Sequence, residues 1–96
     1  MTPYTVLPVP RTDVVVQTLP DGAVLFSTGQ EVYFELNTVG ARVWALLPPV
    51  SATIDDVVAA LSAEFPDVDR GSIAADVAGL LAELERMGLV INPDAV

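Results

Sequence analysis

Apolar and polar residues alternate with a period near two in the first third of the chain and near 3.6 thereafter, so strands come first and helices follow. Asp13-Val14-Val15-Val16-Gln17-Thr18-Leu19 is short and β-branched, which suits a strand. Pro20-Asp21-Gly22 offers one fixed φ and then a pair that tolerates positive φ. It predicts a tight turn into a second strand, Ala23 to Ser27. A further turn, Thr28-Gly29-Gln30-Glu31, leads to a third strand, Val32 to Leu36, ending at Asn37. Within it Val32, Phe34 and Leu36 alternate with Tyr33 and Glu35, so one face looks to a core and the other is mixed.

From Thr38 the spacing becomes helical. Val39, Val43, Trp44, Leu46 and Leu47 form the apolar side of a first helix, with Asn37 or Thr38 as its cap and Pro48-Pro49 as its stop. Trp44 among these residues reads as core. Thr53 and Asp56 have the spacing of a capping box, and Asp55 and Asp56 fall at the positive end of the second helix. That helix carries Ile54, Val57, Val58, Leu61 and Phe65 on one face and ends before Pro66. The third begins between Asp69 and Ser72 and places Ile73, Val77, Leu80, Leu81, Leu84 and Met87 at core spacing. Gly88 stands where a left-handed cap is expected, with Leu89 packing back. Three strands followed by three helices, without repeat or linker, predict an α+β domain: a small antiparallel sheet with helices gathered on one face. Residues 12–91 form that domain, 1–11 an extended or loosely held proline-rich arm, and 92–96 a tail.

Composition narrows what such a domain does. The 96 residues are 52% hydrophobic, enough for one core and too few for a second domain. Thirteen acidic residues against four arginines give a net charge of −9, which repels nucleic acid and favours a partner with positive charge. There is no cysteine and no histidine. Disulfides, thiolate chemistry and the commonest acid-base and metal-binding side chain are therefore missing, and Ser27, Ser51, Ser62 and Ser72 have no histidine base to activate them. Asp55 and Asp56 are accounted for by the helix dipole. Asp67-Val68-Asp69 lacks the glycine and distal glutamate of a calcium loop. No glycine-rich phosphate motif is present. No catalytic residue, metal or cofactor is expected. No apolar run reaches membrane length and the N-terminus lacks the pattern of a signal peptide, so a cytoplasmic protein without a membrane partner is expected.

Two features suit binding. Ala74, Ala75, Ala78, Gly79 and Ala82 make one side of the third helix small. Either the helix packs closely on the sheet, or it borders a shallow groove for an outside ligand, with Asp76 nearby. The third strand is the other feature, because a three-stranded sheet has two edges and an edge can pair with an extended peptide.

Val24-Leu25-Phe26, then Val32-Tyr33-Phe34-Glu35-Leu36-Asn37, then Gly40-Ala41-Arg42-Val43-Trp44 resemble the strands and first helix of the PqqD-like proteins, the precursor peptide recognition elements of ribosomally made, modified peptides (RiPPs). The resemblance continues through Ile54-Asp55-Asp56-Val57, Leu61, Phe65, Asp76-Val77, Leu80, Leu81, Leu84 and Gly88-Leu89-Val90, and spans roughly residues 12 to 91. It implies a winged helix-turn-helix fold that does no chemistry. Such a domain captures the leader region of a precursor peptide as an added strand, in the groove between the third strand and the third helix. By position it nominates Val32, Tyr33, Phe34, Glu35 and Leu36 on the strand and Asp76, Val77, Leu80 and Leu84 on the helix, some as supports rather than contacts. Thr28-Gly29-Gln30-Glu31 departs from the Pro-Glu-Gly typical of the pyrroloquinoline quinone members. The chain looks more like the stand-alone elements of lasso peptide clusters, whose partner is a separate leader peptidase. A pyrroloquinoline quinone or radical SAM pathway, with another modifying enzyme, stays open. A winged-helix DNA-binding regulator fits less well, since Arg70 and Arg86 on the third helix are opposed by Asp69, Asp76, Glu83 and Glu85.

Overall fold

The computed structural model describes residues 7–48 and 50–91, so the first six residues of the expected arm, Pro49 of the expected helix stop and the expected tail lie outside it. The elements run β1 (Val9–Pro10), β2 (Val14–Leu19), β3 (Gly22–Ser27), β4 (Val32–Asn37), α1 (Thr38–Leu46), α2 (Ile54–Glu64), α3 (Arg70–Arg86) and β5 (Val90–Ile91). Strands β2, β3 and β4 form an antiparallel sheet in that order, and β1 pairs with β5 in a small separate ladder. The α+β arrangement expected from the order of elements is what forms, and the third strand of the sequence reading is β4.

The two-residue turn Pro20-Asp21 sets the sheet register by pairing Leu19 with Gly22. Ala23, Leu25 and Leu36 then point into the core, which they share with Val43 and Leu47, with Val57 and Leu61 of α2, and with Val77, Leu81 and Leu84 of α3. Fully burying each leucine contributes about 2 kcal/mol. Trp44 is half-buried and packs on this core, as expected.

Local chemistry decides where each helix starts. Both Asn37 and Thr38 satisfy the rule for a cap, and Asn37 takes the role: its side-chain oxygen accepts from the Gly40 N–H at 2.8 Å. Thr38 instead donates its hydroxyl to the Asp21 carbonyl at 3.1 Å, tying the start of α1 to the first hairpin. The capping box at Thr53 and Asp56 is complete. Asp69 caps α3, which ends in a Schellman turn. There Gly88 adopts φ +75°, and the Leu89 N–H reaches the Leu84 carbonyl at 2.9 Å.

That turn also holds the proline-rich arm. Leu7 is fully buried, Val9–Pro10 pairs with Val90–Ile91, and the Arg11 N–H bonds to the Leu89 carbonyl at 3.1 Å. The described part of the arm is extended and held against the domain rather than loose. Asp13 continues the attachment at the far end of the sheet, accepting from Arg11 and from the buried Ser27 hydroxyl, each at 3.2 Å. Desolvation raises its carboxyl pKa, but these hydrogen bonds outweigh that and hold it below the usual value.

Arg42 on α1 grips Glu64 on α2 with two hydrogen bonds of 2.7 and 2.8 Å, and this holds the Glu64 carboxyl below its ordinary value. A depressed carboxylate contributes stability that is complete above its unfolded-state value and fades as pH falls through the folded-state value. Arg42→Ala should therefore cost roughly 0.5 kcal/mol at neutral pH, the discounted value of a solvent-exposed pair, and nothing once Glu64 is protonated in acid. Urea denaturation at both pH values checks the difference.

Candidate functional site

The order β2-β3-β4 leaves β2 and β4 as edges. In a two-residue hairpin the closing pair is hydrogen-bonded, so Leu19 and Gly22 face each other with their N–H and C=O groups. Alternation then turns the groups of Ala23, Leu25 and Ser27 toward β4 and, through the pairing of Ala23 with Leu36, those of Val32, Phe34 and Leu36 toward β3. Two observations agree with this phase. A Cβ on Gly22 would run into the Leu36 carbonyl oxygen, and the Asp13 carbonyl, two residues before Val15, accepts from the Thr28 N–H at 3.0 Å on the β3 side. The main-chain groups of Tyr33 and Glu35 are thus the ones directed out from the open edge of β4.

Beside that edge lies an open groove of about 350 Å³. Its near wall is the end of β4, Glu35, Leu36 and Asn37; its floor is Val39, Gly40 and Val43 of α1; its far wall is Asp76, Val77 and Leu80 of α3. The groove exists because Asn37 ends the strand and caps the helix at once, folding α1 back under β4. A second hollow of about 320 Å³ adjoins it around Leu19, Asp21, Glu35, Leu36 and Asn37.

Of the nominated residues, Glu35, Leu36, Asp76, Val77 and Leu80 meet in the groove. Leu36 and Val77 are buried there, whereas Leu80 is half-buried and Glu35 and Asp76 are exposed. Val32, Tyr33 and Phe34 lie outside its lining. Tyr33 is 70% exposed on the outer face of the sheet, its ring 4.6 Å from that of Phe26 and tilted by 37°. Phe34 packs against the core, and Leu84 is fully buried within it. Leu84 therefore supports the wall from behind.

The sequence reading missed Asn37, Val39, Gly40 and Val43 as groove residues. Val39 and Val43 stand four apart on α1, so their spacing marked an apolar face without saying that part of it stays open. Gly40 fits because a side chain there would press on Leu36 and on the capping oxygen of Asn37, at 3.2 and 3.3 Å.

The small side of α3 divides. Ala74 and Ala78 pack on the core, while Ala75, Gly79 and Ala82 are exposed. A Cβ added at Gly79 would meet nothing within 4 Å. Close packing within the domain does not explain that glycine. Gly79→Ala should stabilise the free domain by about 1 kcal/mol, raising its melting temperature by about 4–8 °C.

Charge is distributed unevenly. Arg11, Arg42 and Arg86 pair with Asp13, Glu64 and Glu83, all away from the groove. Every charged residue lining the two hollows is acidic: Asp21, Glu35 and Asp76. Among the described residues none of these three carboxylates has a hydrogen-bonded or ion-paired partner. No cluster of acidic residues able to hold a metal ion occurs among the described residues, and none of their helices is long and apolar enough to cross a membrane.

An open strand edge beside a partly apolar groove defines a small domain equipped to take up an extended chain. The family is equally clear: the chain belongs to the PqqD family, whose model, described as coenzyme PQQ synthesis protein D, matches residues 22–90. The resemblance to PqqD-like proteins read from the sequence is borne out. No curated protein matches the chain. A solved structure that does is TbiB1 in complex with the TbiA(beta) leader peptide. It is 30% identical, with a TM-score of 0.75 over 85% of this chain and 93% of that one.

Proposed function

We propose that this chain is a non-catalytic domain that binds the leader region of a ribosomally synthesised precursor peptide and delivers it to a modifying enzyme. The leader adds as a strand to β4, and alternate side chains of it enter the groove between β4 and α3. The observation that carries this reading is the open edge at Tyr33 and Glu35 next to the groove; the likeness to a protein solved with a leader peptide supports it. Glu35, Leu36, Asp76, Val77 and Leu80 then border the guest together with Val39 and Val43. Val32, Tyr33 and Phe34 carry and brace the docking strand, and Leu84 holds α3 in place.

The enzyme served is the leader peptidase of a lasso peptide pathway, a reading supported by the resemblance of the sequence to the stand-alone elements of such clusters, with Thr28-Gly29-Gln30-Glu31 in place of Pro-Glu-Gly. Binding is tested by titrating a fluorescently labelled synthetic leader, taken from the precursor frame beside the gene, with the purified chain. Saturable binding is expected, together with faster leader cleavage by the neighbouring peptidase. Absence of saturable binding would remove the proposal, and binding without any effect on cleavage would remove the delivery step alone.

A further inference from the structure

Resting on the peptide-binding reading, we infer that the peptide taken up at β4 is basic at a defined place: a lysine or arginine, within two residues of the apolar side chain that enters the groove, sits between Glu35 and Asp76. Glu35 on β4 and Asp76 on α3 line opposite walls of the same groove, and both residues are exposed. Among the described residues neither carboxylate has a hydrogen-bonded or ion-paired partner, and the further charged residue of the adjoining hollow, Asp21, is also acidic. The domain carries a net charge of −9, three of its four arginines pair elsewhere, and the fourth, Arg70, lines neither hollow. A cation in the groove is thus bordered by acidic residues on both walls and meets no positive side chain among the lining residues.

Strand geometry fixes how near the cation stands to the apolar anchor. Residues two apart on an added strand share a face and are separated by about 6.6 Å. An apolar side chain over Val39, Val43 and Leu80 therefore leaves its neighbours, one or two positions away, level with the acidic walls. Lysine and arginine suit the place because an apolar stem can lie along the groove while the charged head reaches the rim. Glu35 borders both hollows, so a strand laid along the end of β4 passes from one to the other without leaving acidic surroundings.

The test selects a displayed library of random 15-residue peptides on three immobilised proteins at low salt: the natural chain, Glu35→Gln/Asp76→Asn, and Asp55→Asn/Asp67→Asn. The last loses the same charge at exposed positions that line neither hollow. The expected result is severalfold enrichment of Lys or Arg within two residues of an apolar residue on the natural chain and the Asp55/Asp67 variant, and loss of that enrichment on the Glu35/Asp76 variant. Within a selected peptide, changing that lysine to glutamine should weaken binding to the natural chain about tenfold and to the Glu35/Asp76 variant less than twofold, the signature of direct coupling. Equal enrichment on all three proteins would reduce the effect to bulk charge and overturn the inference. So would selected peptides without basic enrichment, which would leave strand addition standing. If no peptide binds any of the three, the inference and the reading beneath it both fall.

Discussion

Glu35→Pro is expected to abolish leader capture while the domain stays folded. The Glu35 N–H points out from the edge of β4, so proline removes no bond to β3, and an edge position with an outward N–H is where a sheet tolerates it. An incoming strand loses a main-chain donor and meets the proline ring. Together these should cost about 2 kcal/mol or more, at least a thirtyfold loss of affinity. Glu35→Ala is the control, since it removes the carboxylate and keeps the N–H; it should weaken binding far less. Phe34→Pro should behave differently, because the Phe34 N–H faces β3 and its loss breaks the sheet. Circular dichroism and peptide titration on the three variants separate edge pairing from side-chain contact.

The second large effect distinguishes two leucines on α3. Leu84 is fully buried and Leu80 half-buried at the groove, although both stand at core spacing in the sequence. Leu84→Ala should destabilise the domain by about 3 kcal/mol through lost burial and the cavity left behind, with little change in the affinity of the folded protein. Leu80→Asn should do the reverse, leaving most of the stability and removing apolar contact with the guest. Chemical denaturation and leader titration of both variants read the two quantities separately. Equal stability losses would place Leu80 in the core and take it out of the site.

Those two leucines also mark how far the sequence could be read. Features written by adjacent residues were legible: the turn at Pro20-Asp21, the Thr53 and Asp56 box, and Gly88 as the left-handed cap. The positive φ expected of the Asp21-Gly22 pair is not adopted, because Gly22 already pairs with Leu19 as the first residue of β3. The alternation along Val32 to Asn37 correctly gave an inward and an outward face. Asn37 and Thr38 could not be ranked, because each can cap a helix; the choice depends on the Asp21 carbonyl, 17 residues away, which takes the Thr38 hydroxyl. Leu7 looked like part of an arm because the ladder that holds it is only two residues long on each side, too short to leave a period.

The site was half legible for a related reason. Family resemblance pointed to one strand and one helix, but the groove needs a third element. Val39 and Val43 join it only because α1 turns under β4 at Asn37. Helical spacing identifies an apolar face, and nothing in it says whether a neighbour covers that face completely. The meeting of Glu35 with Asp76 is likewise a product of the fold, since 40 residues of intervening chain carry no signal of it.

The most direct measurement is amide hydrogen exchange by NMR on the free chain and on the chain saturated with its leader peptide. Outward N–H groups on the two edges are those of Tyr33 and Glu35 on β4 and of Val16 and Thr18 on β2. Strand addition at β4 predicts strong slowing at Tyr33 and Glu35 on binding, with Val16 and Thr18 unchanged. Slowing at Val16 and Thr18 instead, or bound leader with no slowing at Tyr33 and Glu35, would contradict it.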